Sequence, residues 1–291
     1  MTTRYRIGRC LRGLAHIAAL VALLVFIIFP LVWVFMMSFK GPNDLVANPP
    51  RFVFRPIIEN YAAVLQLDMD YSKLGIYTAA SVDFLAGYRN SLVICIGALA
   101  MSLLLGLPSA YALARFEFRF KEHLAFGFLG MRFVPDLALV IPLYILFRQL
   151  HLYDTKLGLM ISYQSFMLPF IIWTMRGYFQ EVPKELEEAA ALDGCSFLGT
   201  FRRIVLPLTA PGLAATAALA FIFAWNNFGF GLMLTQVNAQ PVTVKMLGYI
   251  TYTATLWGQL AAAGVIIIAP QLLVGVFIQR YIVRGLTYGM Q

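Results

Sequence analysis

The sequence predicts an all-α integral membrane protein of six transmembrane helices, with both termini on the cytoplasmic side and a helix–turn–helix loop on that same face. Three observations carry the prediction. Apolar runs of membrane-crossing length recur along the chain, charge is confined largely to the segments between them, and one such segment holds the start and stop signals of two short helices. Composition agrees: the 291 residues are 60% hydrophobic and only 12% charged, with a mean hydropathy of +0.77. A soluble domain carries about twice that charged fraction. Too little polar surface remains to cover a water-soluble globule.

Crossing ~30 Å of hydrocarbon at ~1.5 Å per residue takes about 20 apolar residues. Runs of that kind lie at 14–37, 88–113, 124–147, 159–179, 210–234 and 258–282. The first follows Arg4, Arg6, Arg9 and Arg12 and has the outline of a secretory signal. It is longer than a signal's apolar region, though, and Ser38-Phe39-Lys40-Gly41 follows it instead of a small-residue cleavage site. It reads as an uncleaved first span. The fourth run begins with Ser162, Gln164 and Ser165, the most polar start of the six.

The net charge of +8 fits topology better than nucleic-acid binding. With the N-terminus inside, the short cytoplasmic segments receive Arg4 to Arg12, then Arg115, Arg119 and Lys121, then Lys184, Arg202 and Arg203, then Arg280 and Arg284. The outside receives Lys40, Arg51, Arg55, Lys73 and Arg89 in one long segment, with Lys156 and Lys245 in shorter ones. This is the Lys/Arg bias that orients membrane proteins. Residues 40–83, containing Pro42, Pro49, Pro50 and Pro56, read as an external lobe that either meets a partner or simply connects spans.

Residues 181–207, between the fourth and fifth runs, are the most informative. Pro183 suits a first helical position, where its missing N–H has no partner to lose. Glu185, Glu187 and Glu188 follow where the helix dipole favours negative charge, and Gly194 supplies a left-handed stop. Phe197, Phe201, Ile204 and Val205 then recur at helical spacing with Arg202 and Arg203 turned away, and Pro207 is expected to end this second helix. Ala189 and Ala190 are expected to be exposed beside the acids. Such a shape docks into a partner's groove, or packs as an ordinary interfacial helix on the protein's own spans.

These residues resemble the EAA loop of ABC importer permeases: E-A-A, three residues, G, nine residues, I, one residue, L-P. Glu188, Ala189, Ala190, Gly194, Ile204, Leu206 and Pro207 match it in register, and the run Glu188 to Gly194, with Asp193, is similar to the carbohydrate-uptake (maltose-type) branch, although Cys195 replaces the usual Ala. The resemblance extends over nearly the whole chain. Ala110-Tyr-Ala-Leu-Ala-Arg115, Ile141-Pro-Leu-Tyr144, Leu152-Tyr-Asp154-Thr155 and Gln279 to Thr287 resemble further segments of that branch. Trp225-Asn226-Asn227-Phe228 stands where Trp-Asn-Glu-Phe is commoner, and the chain closes on Gly289-Met-Gln291 instead of Gly-Ala-Val-Lys.

What the resemblance implies is a permease in a bacterial or archaeal cytoplasmic membrane, partnered by a second permease chain, ATPase subunits and an external solute-binding protein. Glu187, Glu188, Ala189, Ala190, Asp193, Gly194, Ile204, Leu206 and Pro207 would couple it to the ATPase. The chain contains no GxxxxGK[ST] phosphate loop, so ATP hydrolysis falls to another polypeptide. Polar groups within spans are the path candidates, being expensive there. Arg132 and Asp136, four apart, are expected to share a helix face and to pair, while Asn226 and Asn227 are expected in the middle of the fifth span, as helix glue or as contacts to a solute hydroxyl. His16, His123 and His151 are isolated, and Cys10, Cys95 and Cys195 have no metal or disulfide spacing. No catalytic set or cofactor motif stands out. The rival reading, a stand-alone secondary transporter or channel, leaves the EAA-type loop and the scarcity of intramembrane carboxylates unexplained.

Overall fold

The computed structural model describes residues 2–68, 82–251 and 255–288, with side chains described over 13–68, 82–251 and 255–279. The side chains of Arg4, Arg6, Arg9, Cys10, Arg12, Lys73, Arg280 and Arg284, and the Gly289–Gln291 ending, lie outside the described residues. Among those described, regular structure is helical, apart from one isolated bridge between Ile250 and Thr255.

The helices are α1 (Thr2–Ser38), α2 (Pro42–Leu45), α3 (Glu59–Val64), α4 (Phe84–Arg115), α5 (Lys121–Met131), α6 (Asp136–Gln149), α7 (Lys156–Glu181), α8 (Lys184–Leu192), α9 (Phe197–Thr200), a π turn (Phe201–Val205), α10 (Leu206–Leu208), α11 (Ala210–Asn226), α12 (Gly229–Leu234), α13 (Val242–Lys245) and α14 (Trp257–Tyr288). Four of these, α1, α4, α7 and α14, are long and apolar enough to cross a membrane. Two bent pairs, α5 with α6 at 92° and Phe197–Leu208 with α11 at 78°, raise the number to six if each pair is one span.

Two of the expected spans are therefore not continuous helices. The run 124–147 breaks at Phe133-Val134-Pro135: the ring of Pro135 disfavours helical backbone at Val134, and α6 restarts with Pro135 as its N-cap. The run 210–234 breaks at Asn227, whose backbone is extended (φ −68°, ψ 120°). By contrast, Pro108, Pro142, Pro169 and Pro270 sit inside helices, as membrane helices tolerate.

The chain divides into two compact units, residues 1–82 with 248–266, and residues 83–247 with 267–291. In the first, Asn60 is the hub. Its buried amide donates to the carbonyls of Ser38 (3.0 Å) and Lys40 (2.9 Å), where α1 ends. Gly258 lies so close that an added Cβ would stand 2.6 Å from the Asn60 Oδ1. The Lys40 side chain is buried with its Nζ 4.3 Å from the Trp33 ring centroid and 5.2 Å from that of Phe54.

The second unit is built on the seam between α4 and α7. Small residues recur every four positions on the buried face of α4, at Gly87, Ser91 and Cys95, then Ala98, Ser102, Gly106 and Ala110. That is the pattern by which membrane helices approach closely. A Cβ on Gly106 would come within 2.8 Å of Ile171 Cγ2 on α7. The polar start of α7 is satisfied across and along the same seam. Ser102 Oγ donates to Gln164 Oε1 (2.6 Å), and Gln164 Nε2 donates to the carbonyls of Ala98 (3.2 Å) and Met160 (2.8 Å). Ser162 and Ser165 donate back to the Gly158 and Ser162 carbonyls.

At one end of this unit, Asp154, in left-handed backbone (φ 55°), accepts backbone N–H groups from Gln236, Val237, Asn238 and Ala239 and the side-chain amide of Asn238. Asn90 holds the same segment by donating to the Asn238 and Gln240 carbonyls. Burial pushes the Asp154 carboxyl up, but the four backbone N–H donors outweigh it and leave the group below its ordinary value. A depressed carboxylate stabilises the fold above its unfolded pKa and loses that contribution as pH falls through the folded value. Protection of amides 236–239 from hydrogen exchange, measured against the intrinsic rate at each pH, is therefore expected to fall progressively below about pH 4. Asp154→Asn should show lower protection that no longer varies over this pH range, and wild-type protection that does not change with acid would contradict the assignment.

Candidate functional site

The segment from Lys184 to Leu208 folds as a hook. Pro183 stands one position earlier than expected, as the N-cap of α8, with Glu185 and Glu187 in the first turn. The helix ends in a complete left-handed stop. Gly194 (φ 83°) donates its N–H to Ala191 O (3.1 Å) and Cys195 donates to Ala190 O (2.9 Å), while Asp193, the C-cap, donates to Ala189 O (3.0 Å). Ser196 Oγ then caps the second helix at Gly199 N–H (3.2 Å).

Pro207 does not end that helix. Proline has no N–H to give and crowds the carbonyl four residues back, here Arg203. The chain widens into the π turn before it, where the N–H of Leu206 reaches Phe201 O, and α10 continues to Leu208 before the 78° bend into α11. Phe201 and Val205 are buried, Ile204 and Leu206 half-buried, and Arg202, Arg203 and Pro207 exposed.

The two faces of α8 have separate surroundings. Glu185, Glu188, Ala189 and Leu192 follow the i, i+3, i+4, i+7 rule and are all exposed, Leu192 to 90%. With Phe197 and Leu198, Leu192 forms an apolar exposed tip. Ala190, expected to be exposed, is buried on the opposite face. Glu187 is on that inner face too, and the partners that fix it are Tyr111 and Arg115, one turn apart on α4. Arg115 Nε donates to Glu187 Oε1 (2.6 Å), Arg115 Nη2 donates to the Val182 carbonyl (2.7 Å), and the Tyr111 hydroxyl donates to Glu187 Oε2. The Tyr111 ring is surrounded by Phe201 (4.7 Å between centroids), Phe197 (5.3 Å) and Phe179 (5.6 Å).

A second polar cluster gathers where helices break. Arg132 and Asp136 do not share a helix face, because Arg132 ends α5 and Asp136 begins α6 across the bend. Arg132 lies over Phe170 (4.6 Å) and Phe223 (5.4 Å) instead, and Asp136 accepts from Asn227 Nδ2 (2.8 Å). Asn227 is not in a continuous span. It sits in the break between α11 and α12, where its Oδ1 accepts from Phe230 N–H (3.2 Å) and caps α12. Asn226, the last residue of α11, exchanges amide hydrogen bonds with Gln271 (3.1 and 3.2 Å) on an exposed face of the chain. One hydrogen bond, Asp136 to Asn227, thus joins the two helix breaks. Gln271 was not among the sequence candidates, although a polar side chain inside the apolar run 258–282 is the signal that finds it.

Residues 102–288 match the family described as the binding-protein-dependent transport system inner membrane component. The chain is similar, at 33% identity over 262 residues, to a probable ABC transporter permease protein of Sinorhizobium fredii, covering 90% of this chain and 89% of that one. It is 32% identical to a diacetylchitobiose uptake system permease protein of Streptomyces coelicolor (92% and 93% covered) and 33% identical to a trehalose transport system permease protein of Mycobacterium tuberculosis (90% and 91%). Among solved structures, a bacterial ABC transporter involved in alginate import superposes with a TM-score of 0.74 at 21% identity, over 97% of this chain and 98% of that one. The MetNI methionine ABC transporter superposes at 0.56 and 18% identity, over 75% and 99%. At these identities the superpositions establish a common fold.

An amide at residue 227 suits its contact with Asp136. An acid there would face another carboxylate, at a cost of about 4 kcal/mol for charges ~4 Å apart at an effective dielectric of ~20. Asn227→Asp is therefore expected to lower the melting temperature in detergent. Adding Asp136→Asn should recover most of the loss, and strictly additive losses would show that the two side chains do not interact.

Proposed function

The chain belongs to the family of binding-protein-dependent transport system inner membrane components, and we propose from that premise that it is one permease subunit of an ATP-driven importer for a sugar or sugar-like solute. The relatives named for trehalose and diacetylchitobiose uptake support the solute class. ATPase subunits, a second permease and an external solute-binding protein complete the assembly, which sits in a bacterial or archaeal cytoplasmic membrane. The Lys/Arg bias of the segments between the apolar runs supports a topology with both termini and the hook on the cytoplasmic side. No residue in the apolar window of α1 is buried within the chain, leaving that face to lipid or to the second permease.

One observation carries the coupling role: the outer face of α8 presents Glu185, Glu188, Ala189 and Leu192 together, beside the exposed tip of Leu192, Phe197 and Leu198. Exposed apolar side chains beside the acids of the outer face support a surface that meets a partner. When the ATPases close on nucleotide, the hook is carried with them, and the spans rock from inward-open to outward-open. Solute delivered from outside then enters a path whose polar lining includes Arg132, Asp136, Asn226 and Asn227. Broken helices at membrane depth are tolerated where they line such a path or are buried in protein.

The test uses the assembled transporter in proteoliposomes. Glu188→Ala is expected to lower both solute-stimulated ATP hydrolysis and uptake by about tenfold, as loss of an interface anchor does. Gly194→Ala meets no atom within 4 Å but forces a side chain into φ 83°. It should cost about 1–2 kcal/mol of turn geometry and weaken coupling to a lesser degree. Wild-type values for both variants would refute the coupling role of the hook.

A further inference from the structure

The two adjacent acids of α8 point in opposite directions. Glu188 is exposed on the outer face, whereas Glu187 has 16% of its side chain exposed and is held from behind by Arg115, 8% exposed, and by Tyr111. We propose that Tyr111, Arg115 and Glu187 are a clamp that makes the hook and α4 move as one body, so that Glu187 acts as a positioning residue for transmission while Glu188 acts at the ATPase surface. This deepens the importer reading and rests on it.

The geometry is that of a rigid joint. Tyr111 and Arg115 are four apart on α4 and so share one face of the helix. Between them they occupy both oxygens of a single carboxylate. Arg115 also donates to Val182 O, at the end of the linker from α7, so one guanidinium fixes both the entrance and the first turn of α8. The other edge of the joint is aromatic. Tyr111 touches Phe179 of α7, Phe197 of α9 and Phe201 of the π turn, and Phe179 and Phe201 touch each other (5.8 Å). Tyr111 thus carries both halves of the joint, its hydroxyl on α8 and its ring on α7 and the second arm of the hook.

α4 continues from this joint along the small-residue seam with α7, which is closely enough packed to be displaced as a unit. A force applied at Glu188 therefore reaches the seam through Glu187, one residue away, without passing through a flexible loop. Arg176 of α7 and Glu122 of α5 form a neighbouring ion pair, but it ties α5 to α7 and does not touch the hook. The interactions at Glu187 are charge-assisted hydrogen bonds in a mostly buried setting, where geometry is most restrictive.

The experiment is done on the assembled transporter, with two quantities read separately: the affinity of the ATPase subunits for the permease, and solute imported per ATP hydrolysed. Glu187→Gln is expected to leave ATPase affinity within about twofold and to lower solute per ATP by about tenfold, the equivalent of one lost charge-assisted hydrogen bond. Tyr111→Phe, which keeps the ring and its aromatic contacts, should change solute per ATP in the same direction by a smaller factor. Glu188→Gln should do the converse, weakening ATPase association with solute per ATP preserved in the complexes that form. Arg115→Lys keeps the charge and should recover part of what Arg115→Ala loses. The clamp is overturned if Glu187→Gln weakens ATPase association as much as Glu188→Gln does, or if it changes neither quantity. Failure of the wild-type chain to bind any ATPase would instead remove the importer reading itself.

Discussion

Lipid offers no hydrogen bonds, and that constraint orders the structure. Every polar group that leaves water must find a partner within the protein, so the long apolar segments become helices, and each departure from helix needs its own side chain to satisfy it. Gln164 and Ser102 answer for the polar start of α7 by bonding across the seam to α4. Where α11 breaks, Asn227 both caps α12 and donates to Asp136 at the start of α6. Pro207, which has no N–H to give, follows a π turn in which the Leu206 N–H reaches the Phe201 carbonyl. Interhelical bonds of this kind contribute only about 0.6 kcal/mol each on average in membranes. Their importance lies in fixing which helices meet and where they are permitted to break.

The same logic explains why the hook is stiff. A buried ion pair gives little net stability compared with an apolar pair of the same shape, yet removing one member costs about 3–5 kcal/mol because the other is left buried and unpaired. Arg115 and Glu187 are such a pair, so the arrangement in which they meet is favoured over nearby alternatives by more than its net stability indicates. Stiffness there and exposure on the opposite face of α8 are what the proposed coupling role requires, with one side held firmly and the other offered freely.

Much of the fold was legible in the sequence because hydropathy reports directly on lipid contact. The helical character, the long apolar helices at 14–37, 88–113, 159–179 and 258–282, and the left-handed stop at Gly194 all follow from local composition or from the one residue type that accepts such backbone. What was not legible is non-local. Apolar periodicity continues through 124–147 and 210–234, so nothing but Pro135 hinted at the first break and nothing marked the second. Spacing placed Arg132 and Asp136 on one helix face because it assumed one helix. Glu187 and Glu188 are chemically identical, and only the rotation of α8 against α4, set by Tyr111 and Arg115 more than 70 residues earlier, gives them different surroundings. Pro207 reads as a stop because a π turn has no sequence signature.

The most direct measurement is to co-express the chain with the genes adjacent to its own, purify it in detergent, and ask what accompanies it and whether solute uptake in proteoliposomes depends on ATP. A permease subunit is expected to bring with it an ATPase and a second six-span chain in stable association, and uptake should stop without ATP. Recovery of this chain alone, carrying solute across liposomes with no ATPase present, would contradict the importer reading and favour an independent transporter.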